Sequence, residues 1–173
     1  AIVGRGWGQA AQHSQSLQVF FSHIPGLKVI MPATAYDAKG LLLASLEETV
    51  TVISIEHRLL YGTETHVPEE PYTIPLGKGD IKRKGRDITI VAFSYMVKEA
   101  LEAAEILAQE EIDVEIIDPR CTSPLDINLI LESVRKTKRL LVADTGWTSY
   151  GVSAEICARV CEEAFDALEA PVK

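Results

Sequence analysis

The stretch from residue 87 to residue 120, DITIVAFSYMVKEALEAAEILAQEEIDVEIIDPR, has the pattern of a strand, a helix and a second strand. Residues 87–93 and 113–118 are short runs rich in apolar and β-branched side chains, which predicts buried strands. Between them, apolar residues recur at helical spacing over 96–109, which predicts an amphipathic helix. This order predicts two neighbouring parallel strands with the helix packed on their sheet.

The same alternation continues towards the C-terminus. The pattern predicts a helix from Pro124 to about Val134, a strand over 139–143 and a helix over 152–165. We therefore expect a parallel sheet with helices on both faces. Ligands of such sheets bind beyond the carboxyl ends of the strands. The residues predicted at that edge are Ser94-Tyr95, Asp118-Pro119-Arg120 and Asp144-Thr145-Gly146.

Upstream of this unit, the pattern predicts strands over 28–32 and 50–55 and a helix over 35–48, with Asp37 in its first turn. Residues 62–80 show little periodicity and are rich in proline and glycine, as a connection between domains would be. We predict a first domain over 1–62, a linker over 63–80 and a second domain over 81–173.

Composition and charge limit the classes of function. The chain has 173 residues, of which 47% are apolar and 24% charged, as is ordinary for a soluble globular protein. No apolar run reaches the roughly 18 residues that span a bilayer, so no membrane partner is expected. Residues 1–62 are electrically balanced, and the whole net charge of −8 falls on the remainder. This distribution argues against nucleic acid and fits either a solubilising surface or a docking face for a basic partner.

The first residues and the cysteines indicate the context of the chain. The N-terminus lacks an initiator Met and the layout of a signal peptide, so we expect the chain to begin inside a longer protein. The three cysteines lack metal-ligand spacing, and Cys157 and Cys161 are interpreted as small apolar residues on a buried helix face. A reducing, cytoplasm-like compartment fits this usage.

The run Gln12-His13-Ser14-Gln15-Ser16 is the strongest candidate for chemistry. It follows a glycine-bearing loop and places an imidazole among amides and hydroxyls. A histidine in such surroundings suits acid–base work near neutral pH. The alternative is a solvated loop histidine without a role.

Six blocks in order resemble the β subunit of thiamine-diphosphate-dependent 2-oxo acid dehydrogenases, the E1 components of the pyruvate, branched-chain 2-oxo acid and acetoin dehydrogenase complexes. The resemblance covers nearly the whole chain. The blocks are QHSQSLQVFFSHIPGLKVIMPATAYDAKG (12–40), EHRLLY (56–61), VPEEPY (67–72), IPLGK (74–78), IDPR with SPLD (117–120 and 123–126) and APVK (170–173).

This resemblance implies an α/β fold of three αβα layers with mostly parallel sheets. It implies the second half of a thiamine pyrimidine-binding domain, followed by a transketolase C-terminal-like domain. The family's glutamate that activates the pyrimidine ring has no counterpart in this chain, so no cofactor-binding residue is assigned. In the heterotetrameric members, the α subunit holds the diphosphate and Mg²⁺.

The resemblance assigns His13 as the active-site histidine. Such a group neutralises the substrate carboxylate or oxyanion and delivers a proton to the opening lipoyl disulfide. Gln12, Ser14 and Gln15 are expected to orient the loop and the ring. Ser14 is not expected to be a nucleophile, because no triad is visible.

Many family members bind a monovalent cation in the loop that matches residues 45–50. The resemblance therefore implies a potassium site at Ser45, Glu48 and Val50, although Glu48 stands near the usual Asp and Val50 where an Asn occurs. His23 and His57 are interpreted as structural residues. The run Asp144-Thr145-Gly146-Trp147 replaces the Glu-Glu run of pyruvate-type members, which leaves the acyl substrate open.

The implied activity is decarboxylation of a 2-oxo acid and reductive acylation of the lipoyl group of E2. The implied partners are an E1 α subunit in an α2β2 assembly, a second β subunit, and the lipoyl and subunit-binding domains of E2. The expected location is the cytoplasm, or the mitochondrial matrix in a eukaryote. One alternative is a ketol transferase like transketolase or deoxyxylulose-phosphate synthase; another is a module acting chiefly in subunit assembly and E2 docking. By itself, the 173-residue chain is expected to be inactive.

Overall fold

The computed structural model describes residues 1–4 and 10–173, and for His13 it describes the backbone only. The N-terminal part, residues 1–62, consists of short elements. They are β1 (Ile2–Val3), α1 (Ala10–Ser14), α2 (Gln18–Ser22), β2 (Lys28–Ile30), α3 (Ala35–Ser45), β3 (Val52–Ser54), β4 (Glu56–His57) and a 3₁₀ turn (Arg58–Leu60).

The C-terminal part, residues 81–173, has the longer helices. The first strand of this part begins at Asp80, one residue before the predicted boundary at residue 81. The elements are β5 (Asp80–Arg83), β6 (Ile88–Ala92), α4 (Tyr95–Ala108), β7 (Val114–Asp118), β8 (Cys121–Ser123), α5 (Ile127–Thr137), β9 (Leu140–Ala143), α6 (Val152–Glu163) and a 3₁₀ turn (Phe165–Ala167).

A four-stranded sheet in the order β5-β7-β6-β9 forms the centre of the C-terminal part. Strands β7, β6 and β9 are parallel, and β5 is antiparallel at the edge. Side chains of β6 alternate between the faces, as a period of two requires. Ile90 and Ala92 pack with α4, whereas Val91 and Phe93 pack with α5 and α6. The predicted three αβα layers with a mostly parallel sheet are therefore confirmed.

A smaller sheet joins the two parts of the chain. Strand β2 pairs in parallel with β3 on one side and antiparallel with β8, which comes from the C-terminal part, on the other. The pairing places Val29 opposite Ser123. Strands β1 and β4 form a separate parallel pair. The two parts thus share backbone hydrogen bonds across the predicted linker.

A partly buried group of five charged side chains also joins the two parts, and we call it the charged cluster: Asp37, Asp80, Lys82, Asp118 and Arg120. The Lys82 ammonium lies 2.9 Å from carboxylate oxygens of both Asp37 and Asp80. The Arg120 guanidinium lies 2.7 Å from Asp37. Asp37 and Asp118 are 0% exposed. Because buried charges require partners, this arrangement ties α3 to β5 and to the turn after β7.

Two expectations about local structure need correction. Helix α5 begins at Ile127, later than predicted, because Asp126 has a non-helical backbone and its carboxylate accepts a hydrogen bond from the Gly79 N–H. Cys161 is exposed, so the interpretation of both α6 cysteines as buried was wrong for it.

Over residues 1–4 and 10–173, no helix has the length and apolar character that crossing a membrane requires.

Candidate functional site

Helix α1 carries His13, the predicted catalytic residue, as the fourth of its five residues. The imidazole lies outside the described part of the structure, as does the whole loop of residues 5–9 with Trp7. The site is therefore described through the backbone of α1 and the residues that follow it.

The residues predicted to orient His13 surround it in sequence. Gln12 and Gln15 are exposed and Ser14 is half-buried. Among the described side chains, none of these three forms a hydrogen bond, so an orienting role for them remains a prediction.

Three side-chain hydrogen bonds fasten the segment after His13 to the C-terminal part, and we call them the hydrogen-bond seam. The Ser16 and Thr145 hydroxyls are 2.8 Å apart. The Gln18 Nε2 donates to Asp144 Oδ1 at 2.7 Å. The remaining bond joins the hydroxyls of Ser22 and Thr122 at 2.6 Å. All three bonds are at least partly buried, so the seam fixes residues 16–22 against strand β8 and the loop that follows β9.

Asp144 is the most constrained member of the seam. The backbone N–H groups of Thr145 and Gly146 donate to its carboxylate in addition to Gln18, yet burial outweighs them and raises the Asp144 pKa. A Cβ at Gly146 would lie 2.8 Å from Asp144 Oδ2 and 2.9 Å from Gln18 Nε2. A side chain at residue 146 would therefore displace the ends of the Asp144 and Gln18 side chains, which glycine leaves in place.

A cleft of about 1020 Å³ opens beside the seam. Residues 16–23 line one wall, and residues 122–125 and 144–159 contribute the other. Large aromatic side chains stand at its surface, with Trp147 77% and Tyr150 94% exposed. Exposed aromatic groups around a concave surface are typical of sites that meet a ligand or a partner chain.

His57 occupies a different environment from the cleft. Its ring is buried, stacks on Tyr95 with centroids 4.8 Å apart, and accepts a hydrogen bond at Nδ1 from the Leu59 N–H. Burial, together with the charge of Arg58, lowers the His57 pKa. These contacts fit the structural interpretation of His57. His23 is exposed and lines the cleft.

The residues predicted to hold potassium have protein partners. The Ser45 hydroxyl donates to the Leu41 carbonyl at 2.7 Å, and the Glu48 carboxylate lies 2.6 Å from the Lys28 ammonium. Val50 is exposed. In the part of the chain that the structure describes, no group of three or more His, Cys, Asp or Glu is arranged to hold a metal ion.

The edge predicted to be functional faces the N-terminal part. Asp118 and Arg120 belong to the charged cluster, Asp144 and Thr145 belong to the seam, and Ser94 donates to the Pro32 carbonyl at 3.3 Å. Sequence reasoning located this edge but did not single out Gln18. In the sequence, Gln18 is marked only by its position as a polar residue directly before the apolar run Val19-Phe20-Phe21.

Comparison with protein families matches both parts of the chain. Residues 3–63 match the transketolase pyrimidine-binding domain, and residues 77–173 match the transketolase C-terminal domain.

Curated relatives match at high identity. The β subunit of acetoin:2,6-dichlorophenolindophenol oxidoreductase from Cupriavidus necator is 49% identical over all of this chain and 51% of its own length. The β subunit of the pyruvate dehydrogenase E1 component from Rickettsia felis is 48% identical over 95% of this chain and 50% of its own length. The chain thus spans about half the length of these relatives.

A solved structure has a similar fold. A split-gene transketolase, described as an inactive β4 tetramer, superposes with a TM-score of 0.78 at 26% identity, over 90% of this chain and 50% of that chain.

Proposed function

Because this chain belongs to the transketolase family, through its pyrimidine-binding and C-terminal domains, we propose that it serves in the β subunit of a thiamine-diphosphate-dependent 2-oxo acid dehydrogenase E1 component. Relatives with 47–49% identity carry the names of β subunits of acetoin:2,6-dichlorophenolindophenol oxidoreductase and of the pyruvate dehydrogenase E1 component. The proposed reaction is oxidative decarboxylation or cleavage of a small oxo compound, with transfer of the acyl group to a lipoyl disulfide.

The observation that carries the proposal is the anchoring of the His13 segment. Helix α1 ends at Ser14, and the seam begins two residues later at Ser16 on the wall of the cleft. A catalytic group needs a fixed position, because small displacements from the reacting geometry lower the rate strongly. The seam supports such a position for His13.

We propose that His13 moves a proton at this site. An imidazole with a pKa near 6.5 exists in both protonation states near neutral pH. The protonated ring donates to an oxygen that develops negative charge, or to a sulfur of the disulfide as it is reduced. Gln12, Ser14 and Gln15 are proposed to hold the ring and its loop.

The family resemblance implies that the α subunit of heterotetrameric members holds the diphosphate and Mg²⁺. We propose on this basis that a partner chain, the E1 α subunit, supplies that half of the site.

The potassium site at Ser45, Glu48 and Val50 also remains a proposal. The Lys28–Glu48 ion pair weighs against a role for the Glu48 side chain, because an ammonium already balances its charge. Backbone carbonyls of that loop are the remaining ligands.

We propose an α2β2 assembly in which a second β subunit and two α subunits complete the active site. The lipoyl and subunit-binding domains of E2 are the proposed further partners, and the negative charge of residues 63–173 suits a basic docking domain.

The division into domains over 1–62 and 81–173 with a linker over 63–80 is supported by the family matches over 3–63 and 77–173. The proposed location is the cytoplasm, or the mitochondrial matrix in a eukaryote.

The test measures turnover with an artificial electron acceptor. It uses the full-length β subunit with its α partner, thiamine diphosphate and Mg²⁺, over pyruvate, branched-chain 2-oxo acids and acetoin. We expect one of these substrates to be used and His13→Ala to lower kcat by about 10²-fold or more. His66→Ala, which changes an exposed histidine, is the matched control and should leave kcat unchanged.

Two outcomes would contradict the proposal. Turnover of a sugar-phosphate ketol donor, with none of the oxo compounds used, would assign the chain to the transketolase branch that the 26% identical structure represents. Equal kcat values for His13→Ala and His66→Ala would remove the acid–base role of His13.

A further inference from the structure

We propose that Asp144, acting through Gln18, is a positioning residue for the segment that carries His13. This inference rests on the proposed role of His13 as a proton-transfer group. It assigns a function to one bond of the seam, the Gln18 Nε2 to Asp144 Oδ1 hydrogen bond of 2.7 Å, which joins residues 126 positions apart.

Fixed contacts run from the end of the central sheet to Gln18, close in sequence to α1. Strand β9 ends at Ala143, so Asp144 is the first residue beyond the sheet. The N–H groups of Thr145 and Gly146 hold its carboxylate, and Gln18, the first residue of α2, binds that carboxylate. Only residues 15–17 separate Gln18 from the end of α1. Movement of Asp144 is therefore transmitted over a few residues to His13.

The chemistry of Gln18 indicates a role beyond packing. The side chain is 1% exposed, and its Oε1 has no hydrogen-bond partner among the described residues. A buried amide with one unsatisfied oxygen is unfavourable for folding, so an apolar residue of similar size would pack better at this position. A hydrogen bond, unlike an apolar contact, fixes both distance and direction. The amide thus gives α2 one defined position against the sheet edge.

The close approach of Gly146 strengthens this argument. A side chain at this position would meet both Asp144 Oδ2 and Gln18 Nε2 within 2.9 Å. The Gly146 backbone therefore lies directly against the hydrogen-bonded pair.

The experiment uses the full-length enzyme assembled with its α partner. Gln18→Met and Asp144→Ala each remove the same hydrogen bond, and Gln18→Met preserves the side-chain volume. Asp166→Ala, an exposed acidic residue of the C-terminal part, is the matched control. We measure kcat and KM, and amide hydrogen exchange of a peptide covering residues 10–17, with a peptide from α4 as the reference.

We expect either variant to lower kcat by about 10- to 100-fold with KM changed less than twofold, because a small misplacement of a catalytic group has this effect. Exchange over residues 10–17 should become at least tenfold faster, and α4 should be unchanged. In the His13→Ala background, Asp144→Ala should have no further effect on kcat. The effects of Gln18→Met and Asp144→Ala should not add.

The proposal and the function it rests on fail in different ways. If His13→Ala is fully active, the proposed function fails. If His13→Ala is slow while both seam variants keep native kcat and native exchange over residues 10–17, this inference alone is wrong. It is also wrong if Asp144→Ala slows the His13→Ala enzyme as much as the native one, or if exchange rises equally in α4.

Discussion

The charged cluster and the hydrogen-bond seam both fasten the N-terminal part of the chain to the C-terminal part, by opposite chemistry. The cluster contains three carboxylates and two cations away from the cleft, and two of its carboxylates are fully buried. The seam consists of hydroxyls, one amide and one carboxylate beside a cleft of about 1020 Å³. Both include residues that follow the carboxyl ends of parallel strands.

The difference suggests that the cluster serves stability and the seam serves placement. Ion pairs removed from water are tolerated only when they remain paired, so loss of one partner is severe. Neutral hydrogen bonds each contribute little to the free energy of unfolding but restrict geometry. Variants in the cluster should therefore affect stability, and variants in the seam should affect the His13 segment.

The largest decrease in the free energy of unfolding is expected from Lys82→Met in the charged cluster. Its ammonium is close to Asp37, Asp80 and Asp118, and their negative charges raise the Lys82 pKa against the opposing effect of burial. Removal leaves Asp118 without its ion-pair partner and Arg120 as the one cation of the cluster beside its three carboxylates, so we expect the free energy of unfolding to fall by about 3–5 kcal/mol. Urea denaturation measures this change.

Lys98→Met is the control for that experiment. Lys98 pairs with Glu102 at 3.9 Å on the surface of α4, and both side chains are at least half exposed. Its effect should stay below about 0.5 kcal/mol. A loss below about 1 kcal/mol for Lys82→Met would mean that the cluster does not hold the two parts together.

The second prediction concerns the pH dependence of Asp118→Asn. Burial raises the Asp118 pKa to about 7, while the attraction of Lys82 opposes that shift. Between pH 4 and 7 the unfolded chain releases this proton and the folded chain keeps it, so the native protein loses stability as pH rises. Asparagine does not titrate. The free energy of unfolding of the variant, relative to native, should rise by roughly 1–4 kcal/mol over that range and stay constant above it.

Urea denaturation at several pH values from 4 to 8 measures the difference. Asp166→Asn, at an exposed position, should show no such trend. A difference for Asp118→Asn that stays flat, or that falls as pH rises, would show that Asp118 is ionised throughout and that the cluster satisfies all three carboxylates.

A smaller effect is expected in the seam from Ser22→Ala and Thr122→Val. Ser22 donates to the Gln18 carbonyl at 3.0 Å and lies 2.6 Å from the Thr122 hydroxyl. Each change should lower the free energy of unfolding by about 1 kcal/mol, and the double-mutant cycle should give a coupling of about 0.5–1.5 kcal/mol. Additive effects would show that the two hydroxyls do not interact in solution.

The smallest change in the free energy of unfolding is expected at the Lys28–Glu48 pair. This partly exposed pair is the reference against which the loss in the charged cluster is compared. Both side chains are about a quarter exposed, so solvent screens the pair. Lys28→Met should lower the free energy of unfolding by less than about 1 kcal/mol. Replacing sodium by potassium tests the proposed cation site of the 45–50 loop separately, since its backbone carbonyls do not take part in this ion pair. A potassium-dependent rise in the native melting temperature would support that site, and an unchanged melting temperature would contradict it.

The sequence predicted the elements whose signal is local. The strands at 88–92 and 114–118 and helix α4 were expected within two residues of their observed ends, because their periodicity extends over several turns or pleats. Helices α1 and α2 have five residues each and β8 has three, which is too short for a periodic signal. The antiparallel pairing of β8 with β2 depends on chain contacts that no local pattern reports.

The candidate site was only partly accessible from the sequence for the same reason. His13 was identified by its neighbours in the sequence and by a family resemblance. Gln18 and Asp144 form a hydrogen bond although they are 126 positions apart in the sequence. Arg120 and Asp37 do the same across 83 positions. Asp37 was expected only to favour the first turn of α3, and its contacts with Lys82 and Arg120 required the fold.

The most direct test of the separate roles of the hydrogen-bond seam and the charged cluster compares Asp144→Ala with Lys82→Met in the full-length enzyme. The measurement is kcat at a temperature where both variants are folded, together with the free energy of unfolding of each. We expect Asp144→Ala to lose at least tenfold in kcat and less stability than Lys82→Met, and Lys82→Met to lose stability while keeping kcat. Loss of kcat in proportion to loss of stability in both variants would contradict the separate roles of seam and cluster.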